Sequence, residues 1–496
     1  MQEFPILSII IFIPLFTAFF LLFFVHFGGK NNKFIYARYV ALLSTGLTLI
    51  ASLYLMFIFN PKHIGYQFTE NYKIFNLKIL ELSLGVDSIS IYFVVLTAFL
   101  SFLAIFYSIN KINNGIKTYL LNFLLIEACS LVVFCSTNLL LFYIFFELVL
   151  IPMYFIIGIW GSERRVYAAF KFFLYTLFAS LFFLAAIIYL GNHFQNLSMD
   201  YLKIVVPKLP MNVQMYLWYL SFIAFAVKTP MIPFHTWLPD AHVEAPTAGS
   251  VMLAGILLKI GGYGLIRVCL ELFPAYCATK QEFVIILSLI AIIYSSFVAF
   301  GQKNIKKIIA YSSIAHMGYV TAAIFTLTSV GIEAAIYQMI SHGLISAGLF
   351  FVVGMMYDKM HTKEISAYGG MAQKAPMLAT FLLLLVLASI GLPATSGFVG
   401  EFLSLVSIFE YSKLYASIAS LGVVLSAIYM LNLYRVVSFG PISMKVAKIS
   451  DIKVKEVVIL IPILICVLLL GIKPNVMLDN LFLPAIKLSE KIHKLI

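Results

Sequence analysis

The chain has 496 residues, of which 62% are hydrophobic and only 11% are charged, and its mean hydropathy is +1.02. A soluble domain has about 25% charged residues, so this chain has too few polar side chains to cover a water-exposed surface. The net charge of +12 would suggest a nucleic-acid partner in a soluble protein, but the basic residues lie mainly between apolar runs. The composition therefore excludes a soluble enzyme and predicts an integral membrane protein.

Apolar runs long enough to cross a bilayer recur along the whole chain. A hydrocarbon core about 30 Å thick requires ~20 apolar residues per helix. By that measure the predicted spans are 4–25, 34–59, 84–108, 116–135, 138–158, 168–191, 213–238, 246–270, 283–301, 305–326, 331–357, 376–410, 413–438 and 456–473. The first run is too long for a signal peptide and carries Glu3 in place of basic residues, so we expect it to remain in the protein. The sequence predicts an all-α polytopic membrane protein, one membrane domain over 1–496 with about fourteen transmembrane helices.

The basic residues between these spans indicate how the chain is oriented. With the N-terminus outside, the inward loops contain 19 lysines and arginines and the outward segments contain 12. Because short loops rich in lysine and arginine stay on the inner side, we predict both termini on the outer, positive side of the membrane. From Leu481 to Ile496, lysines stand at helical spacing against apolar residues. This indicates an amphipathic helix at the membrane surface or, equally well, a frayed terminus.

The five cysteines form no C-x-x-C pair, and most lie inside apolar runs. We expect them to be buried and inert, because neither an iron–sulfur cluster nor a zinc ribbon can be built from such spacing. The sequence also contains no nicotinamide- or flavin-binding motif. Any redox chemistry associated with this chain must therefore belong to partner chains.

Several ionisable residues lie deep inside predicted spans, where each charge costs at least ~2.5–3.5 kcal/mol on insertion scales. They are Glu127, Glu147, Lys228, Lys259, His316, His342 and Glu401. A single one could be a hydrogen-bonding histidine or a lysine that reaches the interface. One titratable group on nearly every central span is harder to explain by packing, and we expect no arginine at these depths. Because glutamate, lysine and histidine exchange protons and arginine does not, the set predicts a proton path.

Two of the spans are interrupted close to an ionisable residue. The seventh span continues from Lys228 through Pro230 and Pro233, and the twelfth passes Gly391, Pro393 and Gly397 before Glu401. Each broken span is the fourth of a five-helix group, which is typical of inverted-repeat transporters. We therefore predict two inverted five-helix repeats, spans 4–8 over residues 116–270 and spans 9–13 over 283–438. The N-terminal helices 1–3 occupy 1–115, and the last helix and amphipathic tail occupy 456–496.

Several motifs resemble one known family along nearly the whole chain. The run VKTPMIPFHTWLPDAHVEAPTAGSVMLAGILLKIGGYG is similar to the signature of the antiporter-like membrane subunits of proton-pumping NADH:quinone oxidoreductase, respiratory complex I. The resemblance extends through FFELVLIPMY, QKNIKKIIAYSSIAHMGY, SHGLISAGLFF and GLPATSGFVGEF. Three paralogous subunits of this kind exist. The glutamate at 401, where lysine is expected in the other two, favours one of the three types.

The resemblance implies roles for the ionisable residues and for partner chains. Glu147 would pair with Lys228, Lys259 and His342 would continue a central hydrophilic axis, and Glu401 would serve the exit half-channel. His316 matches a motif position whose role is less defined. FMN, iron–sulfur clusters and quinone would be bound by partner subunits, with none in this chain. The other partners would be the two paralogous antiporter-like subunits and the lipid of a bacterial or mitochondrial inner membrane.

Physical chemistry gives the implied pair a function. A lysine in a low-dielectric interior tends to lose its proton, and a nearby carboxylate favours keeping it. Opening or closing the pair between Glu147 and Lys228 would therefore push a proton toward Lys259. Hydroxyl groups that could assist transfer belong to Tyr311, Ser312, Ser313, Ser341 and Thr395. Hydrogen bonding between or within helices is an equally good explanation for these hydroxyls.

Three other functions are compatible with parts of the pattern. A multisubunit sodium/proton antiporter has large subunits of the same fold, but the glutamate at 401 and the closeness of the motifs favour complex I. A haem-bearing membrane oxidoreductase could use His316 and His342, although such sites usually come as two pairs. A structural spacer subunit would tolerate neutralisation of Lys228.

Overall fold

The computed structural model describes residues 4–24, 33–73, 81–109, 111–112, 114–443 and 445–494. In chain order its helices and strands are α1 Ile6–Phe24, α2 Lys33–Ile58, β1 Gln67–Lys73, β2 Glu81–Val86, α3 Ser90–Ser108, α4 Ile116–Cys135, α5 Leu139–Leu148, α6 Leu150–Trp160, α7 Arg165–Phe194, α8 Met199–Val205, α9 Met211–Lys228, α10 Trp237–Glu244, α11 Thr247–Met252, α12 Leu258–Gly264, α13 Pro274–Phe300, α14 Ile305–Phe325, α15 Ser329–Met360, α16 Met371–Lys374, α17 Pro376–Ser389, α18 Ser396–Tyr411, α19 Lys413–Ser438, α20 Val454–Ile472 and α21 Asn475–His493. Two basic residues used to orient the chain, Lys30 and Lys78, lie outside the described residues.

Within the described residues, twelve helical segments are long and apolar enough to cross a membrane. The two predicted spans that are not among them are 213–238 and 376–410, the two in which prolines and glycines predicted a break. The first is interrupted between α9 and α10, and the second between α17 and α18. Proline removes a backbone donor, and Gly391 has a φ of +75°, which favours glycine. The polytopic helical fold is confirmed, and the interrupted segments account for the difference from fourteen.

A two-stranded antiparallel hairpin was not anticipated by the all-α prediction. Strands β1 and β2 pair with Lys73 opposite Glu81 and Gln67 opposite Val86. The predicted third span, 84–108, therefore begins too early, since residues 81–86 pair as a strand and α3 begins at Ser90. From β1, the Glu70 carboxylate accepts hydrogen bonds from the amides of Leu7 at 2.8 Å and Ser8 at 3.0 Å. The hairpin thus supplies acceptors to the first turn of α1, whose amides have no partners within the helix.

The chain forms two compact units. Unit 1 comprises Met1–Lys228, Glu244–Met252 and Tyr263–Tyr276, and unit 2 comprises Thr229–Val243, Leu253–Gly262 and Cys277–Ile496. In unit 1, α4 packs against α1, α3 and α5. In unit 2, α15 packs against α14, α18, α20 and α21, and its membrane-spanning window is completely buried. Each unit therefore has one central helix, α4 or α15, surrounded by others.

In each unit one helix begins with an asparagine N-cap, and the two asparagines make corresponding contacts. Asn138 precedes α5 and accepts hydrogen bonds from the amides two and three residues further on, and Asn304 does the same for α14. Each asparagine also forms an isolated β-bridge with the segment that follows the next long helix, Asn138 with Ser198 and Asn304 with Glu364. An N-cap of this kind satisfies amides that the first helical turn leaves unpaired.

The end of the chain forms the helix α21, which begins earlier than the amphipathic segment predicted from Leu481 onward. Leu481 and Ile492 are buried, while Lys487 is exposed. The Ser489 hydroxyl donates to the Leu327 carbonyl at 2.9 Å. These contacts within unit 2 hold the tail as an ordered amphipathic helix and not as a frayed terminus.

Candidate functional site

In unit 1, Glu147 and Lys228 are neighbours without direct contact. Lys228 is the last residue of α9, where the helix dipole favours a cation, and it is only 2% exposed. Its ammonium donates to the Phe146 carbonyl at 3.5 Å and lies 4.4 Å from the centroid of the Phe146 ring. Glu147, in the last turn of α5, interacts electrostatically with Lys228, but their nitrogen–oxygen distances exceed the 4.0 Å of an ion pair. The structure brings the expected partners together in an open arrangement.

In unit 2, four ionisable side chains lie next to one another in a row. Lys259 Nζ lies 2.7 Å from His342 Nδ1. The rings of His342 and His316 are adjacent, with centroids 5.4 Å apart. His316 Nδ1 lies 2.7 Å from Glu401 Oε1. All four residues are at most 5% exposed. The sequence placed them on four separate helices, and the fold brings them into one chain of contacts.

The local helix geometry around Lys259 provides its second partner. Helix α12, which carries Lys259, lies between two π-helical segments, Leu253–Leu257 and Leu265–Leu270. A π-helical turn alters the i→i−4 hydrogen-bonding pattern and is frequent at functional sites. The Lys259 ammonium donates to the carbonyl of Ala254, inside the first of these segments. One backbone carbonyl and one imidazole therefore hold a lysine that is completely buried.

The hydrogen-bond directions in this chain suit proton transfer. When Lys259 is protonated it donates to His342 Nδ1, and the neutral ring then carries its hydrogen on Nε2; when Lys259 is a neutral amine, His342 can donate to it instead. That Nε2 atom has no hydrogen-bond partner among the residues the structure describes. An imidazole that gains a proton at Nδ1 and releases one from Nε2 moves a charge across its ring. His342 can therefore pass protons between Lys259 and His316 with small side-chain movements.

Glu401 lies against the break between α17 and α18. One carboxylate oxygen contacts His316, and the other faces Gly391, where an added Cβ would come within 3.2 Å of it. Leu392, the next residue of the break, is 43% exposed, whereas Glu401 is 4% exposed. The interruption therefore places a short piece of non-helical backbone between the buried carboxylate and the outside of unit 2.

The hydroxyl groups proposed as helpers differ in their contacts. Ser341 donates to Ser396 at 2.8 Å, which links α15 to α18. Ser312, Ser313 and Thr395 each donate to a backbone carbonyl three or four residues earlier, so the structural explanation fits them better. The Tyr311 ring lies 6.4 Å from that of His235.

Two residues near the chain of contacts were not singled out from the sequence. Ser389, at the end of α17, lies 3.4 Å from His316 Nε2. His242 is completely buried and stacks on Phe350, with ring centroids 4.5 Å apart. His242 belongs to the quoted WLPDAHVEAPT run, so its motif could have identified it. Ser389 has no such signal, because an isolated serine in an apolar helix is common.

Arg267 contradicts the expectation that no arginine lies at span depth. It is 2% exposed within the membrane-crossing segment Thr247–Leu270. It forms ion pairs with Asp87 and, at 2.9 Å, with Glu271, which also binds Lys203 at 2.8 Å. A permanently charged arginine is tolerated here because two carboxylates neutralise it. Burial alone would raise the pKa of Asp87, but the charge and hydrogen bond of Arg267 hold that pKa below its ordinary value.

Comparisons with known proteins show the family to which the chain belongs. The family model described as "NADH:quinone oxidoreductase/Mrp antiporter, TM" matches residues 136–428. NADH-quinone oxidoreductase subunit M of Rickettsia felis is 50% identical over 97% of both chains. NADH-ubiquinone oxidoreductase chain 4 of Marchantia polymorpha is 42% identical over 90% of this chain and 91% of its own.

Two solved structures extend the comparison to the fold. Respiratory complex I from Thermus thermophilus with bound NADH contains a chain that matches with a TM-score of 0.88 and 28% identity, covering 98% of this chain and 99% of that one. A chain of the Mrp complex from Dietzia sp. matches with a TM-score of 0.86 at 16% identity over 99% of this chain and 100% of its own, which establishes a common fold only. Taken with the relatives of subunit M and chain 4, the type favoured by the glutamate at 401, these matches show that the chain belongs to the NADH:quinone oxidoreductase/Mrp antiporter family of membrane subunits.

Proposed function

We propose that this chain, as a proton-translocating membrane subunit of NADH:quinone oxidoreductase, carries protons along Lys259, His342, His316 and Glu401. The observation that supports the proposal is a row of four buried side chains. Lys259 Nζ lies 2.7 Å from His342 Nδ1, the two imidazole rings have centroids 5.4 Å apart, and His316 Nδ1 lies 2.7 Å from Glu401 Oε1. The first and last pairs are close enough to exchange a proton directly, and transfer between the two histidines needs a movement of their rings. The relay contributes no redox chemistry of its own and responds to electron transfer in partner subunits.

The Glu147–Lys228 pair acts as the switch of unit 1. Its open arrangement, with the ammonium against the Phe146 carbonyl and ring, leaves the carboxylate and ammonium free to approach and separate. An ion pair in low dielectric changes the proton affinity of both members when it closes or opens. We propose that this change drives proton release from Lys228 in each pumping cycle.

Glu401 serves the exit in this proposal. The non-helical backbone beside it has Gly391 in place of a side chain that would contact the carboxylate. Irregular backbone at membrane depth is tolerated where it lines a cavity or lies within protein. The break is therefore the place at which a proton leaves Glu401 for the outer side.

The two asparagine caps support an inverted repeat. In both five-helix groups the second helix begins with an asparagine, which bridges to the segment after the third helix. We propose that residues 116–270 and 283–438 are the two repeats, with the interrupted helix fourth in each. Both termini then lie on the outer, positive side of a bacterial or mitochondrial inner membrane.

The partners follow from the same family. We propose that FMN, the iron–sulfur clusters and quinone are bound by other subunits of the enzyme, and that two paralogous antiporter-like subunits flank this chain in the membrane. The relatives at 42–50% identity are subunits of NADH:quinone oxidoreductase, which favours this enzyme over an independent sodium/proton antiporter.

The test is Lys259→Gln in the assembled complex, compared with Lys413→Gln at an exposed lysine of the same chain. Proton pumping and NADH:quinone reductase turnover are measured in proteoliposomes. We expect Lys259→Gln to lower the proton-to-electron ratio and coupled turnover, because glutamine cannot deliver a proton to His342. The control should match wild type. A wild-type ratio in Lys259→Gln would refute the relay and support a spacer role.

A further inference from the structure

The relay does not use Glu127, a buried carboxyl group of unit 1. Glu127 stands in the middle of α4 and is completely buried. Neither of its carboxyl oxygens has a hydrogen-bond partner among the residues that the structure describes. At 100° per residue, its side chain projects away from the face formed by Thr118, Leu121 and Leu125, which are at least partly exposed. Glu127 therefore points into unit 1 and not out of it.

The surroundings of Glu127 favour a neutral carboxylic acid. A buried carboxylate without a counter-ion or hydrogen bonds is strongly disfavoured, and such a group takes up a proton instead. No described lysine, arginine or histidine forms an ion pair with Glu127 within 4.0 Å. One helical turn further on, the Ser130 hydroxyl also lacks a partner among described residues. A methionine at position 127 would fill the same volume without burying a polar group, so packing alone does not explain the acid.

Glu127 stands at the same depth as the carboxyl of the switch pair. It lies eight residues before Cys135, the outer end of α4, and Glu147 lies eight residues after Leu139, the outer end of α5. At 1.5 Å per residue, both carboxyls are about 12 Å from the outer ends of their helices. Helices α4 and α5 pack against each other within unit 1. Two acidic side chains thus occupy one level of two neighbouring helices.

We propose that Glu127 is a further proton-binding site of the pump, a carboxylic acid that is neutral at rest and that alternates with Glu147. This inference rests on the proposed function of the Glu147–Lys228 pair. Burial without a partner keeps Glu127 protonated while Glu147 is ionised. In the transfer step the O–H bond of Glu127 breaks as one O–H bond forms on the ionised Glu147. The reverse step returns the proton, so that the two groups hold one proton in turn.

The test uses three substitutions at one position in the intact complex. Glu127→Gln is nearly isosteric and cannot exchange a proton, Glu127→Met is apolar and of similar size, and Glu127→Asp keeps the acid. Asn122→Leu, at a buried polar residue of the same helix, is the matched control. The measurements are the proton-to-electron ratio in proteoliposomes, quinone reductase turnover, and the thermal unfolding midpoint of the complex.

We expect Glu127→Gln and Glu127→Met to lower the proton-to-electron ratio as much as Lys228→Ala does. The ratio of Glu127→Asp should lie closer to the wild-type value than to the Lys228→Ala value. Glu127→Met should also raise the unfolding midpoint, since it removes a polar group from an apolar site. Asn122→Leu should keep the wild-type ratio.

The outcomes separate this inference from the function on which it rests. A full ratio in Glu127→Gln and Glu127→Met, with a loss in Lys228→Ala, would make Glu127 a packing residue and leave the switch pair standing. A full ratio in Lys228→Ala with a loss in Glu127→Gln would remove the pair from the pump and retain Glu127 as a proton site. Full ratios in both would overturn both proposals.

Discussion

Replacing Glu401 by glutamine removes the titratable oxygen that lies 2.7 Å from His316 Nδ1. Glutamine keeps the size of the side chain but cannot take up a proton. A hydrogen bond in which one partner is charged contributes about 1.5–3 kcal/mol. At about 1.4 kcal/mol per tenfold change in rate, the loss of such a contact should slow proton transfer to the exit roughly ten- to hundred-fold. We expect Glu401→Gln and Glu401→Ala to assemble but to lose most proton translocation.

Glu401→Lys tests whether the site needs a negative charge or a titratable group. Unit 2 already contains a lysine–histidine contact of 2.7 Å between Lys259 and His342. A lysine at 401 could make the same contact with His316, so we expect Glu401→Lys to retain measurable translocation.

The assay for the position-401 variants is quinone reductase turnover together with quenching of an acidification dye in membrane vesicles, with assembly checked on native gels. Full activity in Glu401→Ala would remove this residue from the path. An assembled but inactive Glu401→Lys would show that the sign of the charge matters.

Four further predictions concern other parts of the chain. Lys228→Ala should abolish pumping by this subunit and lower coupled turnover, and a wild-type proton-to-electron ratio in proteoliposomes would refute this. Glu147→Gln should lose pumping as Lys228→Ala does, while Glu147→Asp keeps partial activity. Wild-type pumping in Glu147→Gln together with a loss in Lys228→Ala would contradict the pairing. Gly391→Ala should cut pumping several-fold more than turnover, because a Cβ there would meet Glu401 at 3.2 Å with φ at +75°; equal pumping and turnover would exclude a gate at the break. Asp87→Asn should lower stability by about 1.5–3 kcal/mol, because it removes one charged partner of Arg267 while Glu271 remains. Since the pKa of Asp87 is held below its ordinary 3.8, the stability that the Asp87 carboxylate contributes is present above that pH and is lost only as pH falls through the lowered pKa. The difference in thermal midpoint between Asp87→Asn and wild type should therefore stay constant between pH 5 and 8. A difference that disappears at pH 5 would contradict the assignment.

The amino-acid sequence alone determined the class of the protein and identified the ionisable residues that were candidates for its site. Hydropathy depends on composition over ~20 residues, so the membrane spans and both interrupted helices could be found without tertiary information. Proton-exchanging residues such as Lys259 and His342 stand out in apolar runs because a charge is costly there. The motifs around them gave the family, which the relatives confirm.

Tertiary structure decided which of these residues meet. Nothing in the spacing of Lys259, His316, His342 and Glu401 along the chain indicates that they touch in that order, because side-chain contacts between helices depend on how each helix is rotated and packed. Arg267 lies inside the predicted span 246–270, but its tolerance there depends on Asp87, 180 residues away. The hairpin of β1 and β2 was missed for a similar reason, since strand pairing and side-chain packing outweigh local propensity. Periodicity and composition are local properties, whereas a buried charge is stabilised by whichever partners the fold brings to it.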